Sequence, residues 1–198
     1  MIALIDYGAG NLTSVRKALA ALGAEVSIPR SPSDVDTAHG VIVPGVGNFE
    51  QTFALDDAWR HAILGAIERG RPLLGICLGL QWLFEGSTEA PGCKGLSLMS
   101  GQCDRLEGQW PLKVPHVGWN AVEFRRPSPL FEGIPEGAQF YFTHSYAAPV
   151  TNDAIAVTNH GASFASAVGR GHVFGVQFHP EKSGAAGLHV LKNFLDAV

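Results

Sequence analysis

Leu73-Leu74-Gly75-Ile76-Cys77-Leu78-Gly79-Leu80-Gln81 is an apolar strand that stops at a cysteine, with a glycine two residues to either side and residues able to start a helix behind it. The pattern G-x-C-x-G is the thiol counterpart of a nucleophile elbow. Both glycines are required because the turn strains the backbone at the nucleophile and brings strand and helix too close for a Cβ. The cysteine then stands at a helix N-terminus, where partial positive charge favours thiolate and the Leu78 amide points to where an oxyanion develops. Far downstream, Val173-Phe174-Gly175-Val176-Gln177-Phe178-His179-Pro180-Glu181 ends an alternating strand. Pro180 biases His179 towards extended backbone, in which residues two apart share a face. His179 and Glu181 are therefore expected in one site, the imidazole as base and acid for Cys77 and the carboxylate orienting the ring.

Around the elbow the pattern is that of a parallel sheet. Residues 2–5 form a short apolar strand, and Asn11 is suited to cap a helix whose Leu12, Val15, Leu19 and Leu22 share one face before Gly23 ends it. A strand at 25–28, a buried strand at 40–43 running into Pro44-Gly45-Val46-Gly47, and a helix over 57–69 lead through Pro72 to the nucleophile strand. Between 101 and 178 the segments shorten. Strands at 121–124, 139–143 and 155–158 and a hairpin through Gly169-Arg170-Gly171 are expected to extend the sheet and to form a flap. An amphipathic helix over 185–197 closes the chain. The predicted class is α/β: three layers, a mostly parallel central sheet with helices on both faces, and an antiparallel flap.

A length of 198 residues suits one domain spanning 1–198. Hydrophobic content of 46% without an apolar run approaching the ~18 residues of a membrane span points to a soluble protein with no membrane role. A strand beginning at residue 2 leaves no room for a signal peptide. Three cysteines without C-x-x-C spacing suit a reducing cytoplasm and imply neither a disulfide framework nor a metal. Net charge of -4, dispersed along the chain, argues against nucleic acid and for a small substrate. Gly8-Ala9-Gly10 mimics a dinucleotide fingerprint, but Thr13 stands where the third glycine is needed, so no cofactor is expected. His39, His61, His160, His172 and His189 lack ligand spacing and are expected to be solvated, and Cys93 and Cys103 to be incidental.

The elbow, Pro44-Gly45-Val46-Gly47 and Gln177-Phe178-His179-Pro180-Glu181-Lys182-Ser183 together resemble the triad-type, class I glutamine amidotransferases along essentially the whole chain. Tyr7-Gly8-Ala9-Gly10-Asn11-Leu12, Lys113-Val114-Pro115-His116-Val117-Gly118-Trp119-Asn120 and Tyr141-Phe142-Thr143-His144-Ser145-Tyr146 are similar to the glutaminase subunits of imidazole glycerol phosphate synthase. The resemblance implies hydrolysis of L-glutamine through a Cys77 thioester, with His179 and Glu181 completing the triad. It implies an oxyanion site at the amides of Leu78 and Val46, beside Gly45. A peptide flanked by Gly45 and Gly47 rotates at little steric cost, so the second donor can be off in the free subunit and on after a partner signal. Gln81 and Glu89 are implied in substrate binding, Glu89 for the α-amino group, with main chain at His144, Ser145 and Tyr146 lining the pocket. The implied partner is a (β/α)8 cyclase subunit in a heterodimer of histidine biosynthesis, facing Asn11, Trp119, Asn120, Lys182 and Ser183. Glutaminases serving anthranilate, aminodeoxychorismate or pyridoxal phosphate synthesis are the alternative, disfavoured by the stretch 113–120. PfpI-like cysteine peptidases are disfavoured by the separate His-Pro-Glu segment and Gln81.

Overall fold

In the first half of the chain β1 (Ile2–Leu4), α1 (Leu12–Ala21), β2 (Val26–Ser27), β3 (Gly40–Gly45), α2 (Asp57–Glu68), β4 (Leu73–Cys77) and α3 (Leu78–Trp82) alternate as expected. The second half holds β5 (Gly86–Ser87), β6 (Gln102–Arg105), β7 (His116–Ala121), β8 (Glu123–Phe124), β9 (Gln139–His144), β10 (Tyr146–Ala147), β11 (Ala154–His160), β12 (Ala162–Arg170), β13 (Val173–Val176) and α4 (Gly184–Asp196). These elements come from a computed structural model that describes residues 1–10, 12–108 and 112–198. Asn11, expected to cap α1 and to face the partner, lies outside the described residues.

The main sheet has eight strands in the order β2-β1-β3-β4-β13-β12-β11-β8. The five from β2 to β13 are parallel, and β12, β11 and β8 continue the sheet antiparallel. Both faces are covered, which is why these strands read as continuous apolar runs. Successive side chains part to opposite faces. Ile2, Leu4, Ile42, Leu74 and Ile76 pack with Val15 and Leu19 of α1 and Val190, Leu191 and Phe194 of α4. Ala3, Val41, Val43 and Leu73 pack with Ile63 and Ala66 of α2 and Leu80 and Trp82 of α3. The start of α2 is fixed by Asp56, whose Oδ1 accepts from the amides of Ala58 and Trp59 at 3.0 and 3.1 Å.

Two expected boundaries need correction. Residues 121–124 are not one strand: the chain breaks at buried Val122, sending β8 to the sheet edge and β7 away to pair with β9. Residues 139–143 belong to the expected antiparallel flap: β7 and β9 form a separate ribbon registered from His116↔His144 to Ala121↔Gln139. The strand over 40–43 runs on through Pro44 and Gly45, which pairs Gly45 with Cys77. That extension brings the segment expected to supply an oxyanion donor directly beside β4.

Candidate active site

Cys77 ends β4 with φ +54° and ψ -103°, outside the regions an L-residue prefers. Such backbone costs about 1–3 kcal/mol and persists only where the surroundings fix it. Here β3 and β13 clamp β4 from both sides, through Gly45↔Cys77 and Val176↔Ile76. The glycine argument from sequence holds at both positions. A Cβ on Gly79 would run into the Val43 carbonyl, and one on Gly75 would lie 2.5 Å from the Gly79 carbonyl oxygen. The helix behind the elbow is only five residues long, so it supplies less of a dipole than a full helix would.

His179 reaches Cys77 from the end of β13. Its backbone is extended, as Pro180 requires, and its amide donates to the Tyr141 carbonyl at 2.9 Å. Glu181 arrives differently from the alternation expected: Pro180–Lys182 is a 3-10 turn, entered by a proline whose fixed φ suits a first helical position. The turn brings Glu181 Oε1 to 2.9 Å from His179 Nδ1, with both side chains 2% exposed. Nε2 is left without a hydrogen-bond partner. Burial is the largest influence on His179 and opposes its charging, but the charge of Cys77 and the Glu181 carboxylate together outweigh it and raise the imidazole to about 10. The ring is held as an imidazolium, with Nδ1 committed to Glu181.

Cys77, Leu78, Gln81, Glu89 and the segment 144–146 line one cleft of about 290 Å³. Glu89 Oε2 accepts from the Phe49 amide at 2.8 Å. Gln81 donates from Nε2 to the Tyr146 carbonyl at 2.9 Å and to Gln177 Oε1 at 3.2 Å. Both its N–H groups are thus spent internally, and only its oxygen faces outward for a ligand, the reverse of a donor to a carboxylate. Gly45 and Val46 line a separate small hollow with His179 and Glu181, while Gly47 faces the cleft. A larger hollow of about 770 Å³ between Phe124 and Ile134 contains neither cysteine nor histidine.

Of the residues expected at a partner surface, Trp119 is 57% exposed and Lys182 is exposed, its ammonium 5.8 Å from the Tyr141 ring. Asn120 is half-buried, donating to the Asn159 carbonyl at 3.0 Å. Ser183 requires correction. It is buried, with its hydroxyl donating to the His179 carbonyl at 2.7 Å and accepting from the Tyr141 amide at 2.9 Å, so it ties the Pro180–Lys182 turn to β9 and presents nothing to a partner.

A family model for class-I glutamine amidotransferases matches residues 3–198. The chain belongs to the class-I glutamine amidotransferases. Among its relatives, the imidazole glycerol phosphate synthase subunit HisH of Moorella thermoacetica is 49% identical over 203 residues, covering 100% of this chain and 95% of the relative. The subunit of the same name from Thermococcus kodakarensis is 49% identical over 200 residues, covering 98% of each. This amidotransferase is a glutaminase subunit of the HisH type. A crystal structure of a glutamine amidotransferase superposes with a TM-score of 0.76 at 18% identity, covering 99% of this chain and 97% of that one. The structure of PurLQS from Thermotoga maritima superposes with a TM-score of 0.77 at 18% identity, covering 98% and 97%. Those two likenesses concern the fold.

Two residues of the amidotransferase site were not singled out from sequence. Gln177, fully buried, donates to Cys77 Sγ at 3.5 Å. Its signal was a carboxamide inside an apolar strand, in phase with His179 two residues on. The Tyr7 hydroxyl is buried beside Gly45 without a partner, and burial, followed by the charge of Cys77, pushes its pKa up. Nothing in its sequence context marks it. Cys103 is pushed up by burial and then by Asp104, which makes it inert.

His144 belongs to a further cluster. His116 Nδ1 lies 3.1 Å from His144 Nε2, His144 Nδ1 lies 2.8 Å from the Tyr146 carbonyl, and His160, expected to be solvated, stacks on His116 at 4.1 Å. Burial first, then the charge of His160, lowers His116 to about 4; burial, partly offset by the Tyr146 carbonyl, and the charges of His116, His160 and His179 lower His144 to about 3. Both rings are neutral when folded, whereas each takes a proton near pH 6.5 when unfolded. Their contribution to stability is complete above pH 6.5 and is lost as pH falls towards 4 and 3, each at no more than about 1.4 kcal/mol per pH unit. The thermal midpoint should fall through this window, and a His116→Gln/His144→Gln protein should fall less steeply. Equal slopes would show that other groups govern the acid limb.

Proposed function

We propose that Cys77 attacks the side-chain amide carbon of glutamine in the 290 Å³ cleft and that the ammonia released passes to a (β/α)8 cyclase subunit of imidazole glycerol phosphate synthase. The observation that carries this reading is a strained, buried cysteine that shares one cleft with the acidic Glu89 and interacts with the buried His179–Glu181 pair behind it. Sγ bonds to the amide carbon, and its C–N bond breaks as His179 Nε2 delivers its proton to the departing ammonia. Neutral Nε2 then takes a proton from water as the hydroxyl attacks the thioester, releasing glutamate and restoring the sulfur. Leu78 N is the first oxyanion donor. Glu89 suits the α-ammonium of the substrate, and Gln81 Oε1 is placed to accept from it or from the amide.

The second donor is Val46. Val46 and Gly45 face the His179 hollow rather than the cleft, which supports a donor that is off in the free subunit. Gly10 packs so closely on this segment that a Cβ there would lie 3.0 Å from Val46 N. A partner that pressed on Gly10 would therefore press on the peptide that must turn. Glutaminase rate should be low for the lone subunit and rise on adding the cyclase and its nucleotide. A fully active lone subunit would remove the gating idea, and recovery of a chorismate-using synthase but no cyclase in a pull-down would remove the partner.

The cyclase is placed over the ribbon of β7 and β9. Trp119, exposed and edge-on to Tyr141 at 6.2 Å, is its anchor. Trp119→Ala should weaken the heterodimer by about 2 kcal/mol without lowering the melting temperature of the isolated subunit. Titration calorimetry giving unchanged affinity would place the interface elsewhere. One domain over 1–198, in a reducing cytoplasm, completes the reading; no helix among the described residues is long and apolar enough to cross a membrane.

A further inference from the structure

We infer that Gln177 is a positioning residue of the glutaminase reaction, aiming the Cys77 sulfur through a carboxamide whose orientation is dictated by the Tyr146 carbonyl. The inference rests on the thioester chemistry proposed above.

The two ends of a carboxamide have nearly the same shape, so hydrogen bonding must decide which faces where. A backbone carbonyl only accepts, and the Gln81 group 2.9 Å from Tyr146 O is therefore its NH2. The same NH2 lies 3.2 Å from Gln177, which must present its oxygen. The Gln177 NH2 is then left facing Sγ at 3.5 Å. Turning Gln177 over would set two NH2 groups against each other and a carbonyl oxygen against the sulfur. One orientation survives.

The carbonyl that sets this polarity is itself held. Its second lone pair takes the Nδ1–H of His144 at 2.8 Å, which leaves His144 Nε2 to accept from His116 Nδ1 at 3.1 Å. His116 Nε2 then accepts from Asn120 Nδ2 at 3.2 Å, and Asn120 cannot be turned over because its Oδ1 accepts from the Ala121 amide at 2.8 Å. Every donor in the chain has a partner that can only accept, and both imidazoles are in the neutral form this demands. Two arms, one from β7 and one from the elbow, converge on a single oxygen.

A wholly buried carboxamide is costly unless its groups are paired, and an aliphatic side chain would fill an apolar strand more cheaply. The acceptor that the Gln177 NH2 serves is the reacting atom. His179 acts on the sulfur as a charged partner, and Gln177 supplies a directed N–H bond that fixes where the sulfur points. Misplacement of a reacting atom by about 1 Å can cost on the order of 100-fold.

The test uses the heterodimer with Gln177→Met, which keeps the length and removes the amide, and Gln177→Asn, which keeps the amide and withdraws it from the sulfur. Both should lower kcat for glutamine by about 10- to 100-fold with KM changed by less than about threefold, and should slow alkylation of Cys77 by iodoacetamide in parallel. Their ammonia-dependent rates should match wild type, showing that fold and partner survive. Wild-type alkylation rate and kcat in a variant that folds would overturn the inference. A purely structural role would lower the melting temperature while leaving the alkylation rate per folded molecule intact. Failure of wild type itself to hydrolyse glutamine would instead remove the reading on which the inference rests.

Discussion

A Cys77→Ala heterodimer is expected to lose glutamine-dependent turnover by on the order of 10^4-fold or more while its ammonia-dependent reaction continues at the wild-type rate. The split follows from the division of labour proposed: the thiol is needed only to free ammonia from an amide, and free ammonia bypasses it. Cys103 cannot substitute, because it lies fully buried in the opposite core layer. Alanine inherits the backbone of the elbow, φ +54°, without any chemical return for it. Glycine adopts that backbone freely, so Cys77→Gly should be equally inactive but more stable than Cys77→Ala by about 1 kcal/mol. Survival of glutamine-dependent activity in either variant would move the nucleophile elsewhere.

The second large effect is expected at Glu181. Glu181→Gln is nearly isosteric, but a carboxamide facing His179 Nδ1 has two poor choices. With its NH2 towards Nδ1 it forces the ring proton onto Nε2 and removes the base; with its oxygen there it no longer balances an imidazolium that is 2% exposed. The loss in kcat should be about 10^2- to 10^4-fold. Removing one of the two influences that hold the imidazole up should also bring its pKa down from about 10, readable as an earlier titration of the His179 ring signal by NMR. Activity within a few-fold of wild type would show that the turn, rather than the carboxylate, orients the ring.

The parts of this site that were legible in the sequence are those where local backbone rules leave few choices. Glycines at 75 and 79 could be read as close approach, and Pro180 as extended backbone at His179, because sterics act within a few residues. Strand pairing between distant segments has no such signature. Which of the short strands extend the main sheet and which form the flap therefore stays open at the level of sequence, and Ser183, a small polar residue in a turn, reads as surface. The hydroxyl of Ser183 is consumed by main chain 42 residues away, which no local pattern announces. Gln177 shows a different gap: its phase with His179 was visible, but its side-chain partners come from β4 and the elbow helix. An amide in a strand acquires meaning only when the far ends of its hydrogen bonds are known.

At the margins of the eight-stranded sheet stand β2 and β8, each two residues long. Rims so short offer almost no template for another chain to add a strand, which guards against open-ended stacking of subunits. An incoming partner is thereby directed to side chains instead of main chain, and in the assembly proposed above its specificity falls to residues such as Trp119 that can be tuned without disturbing the sheet.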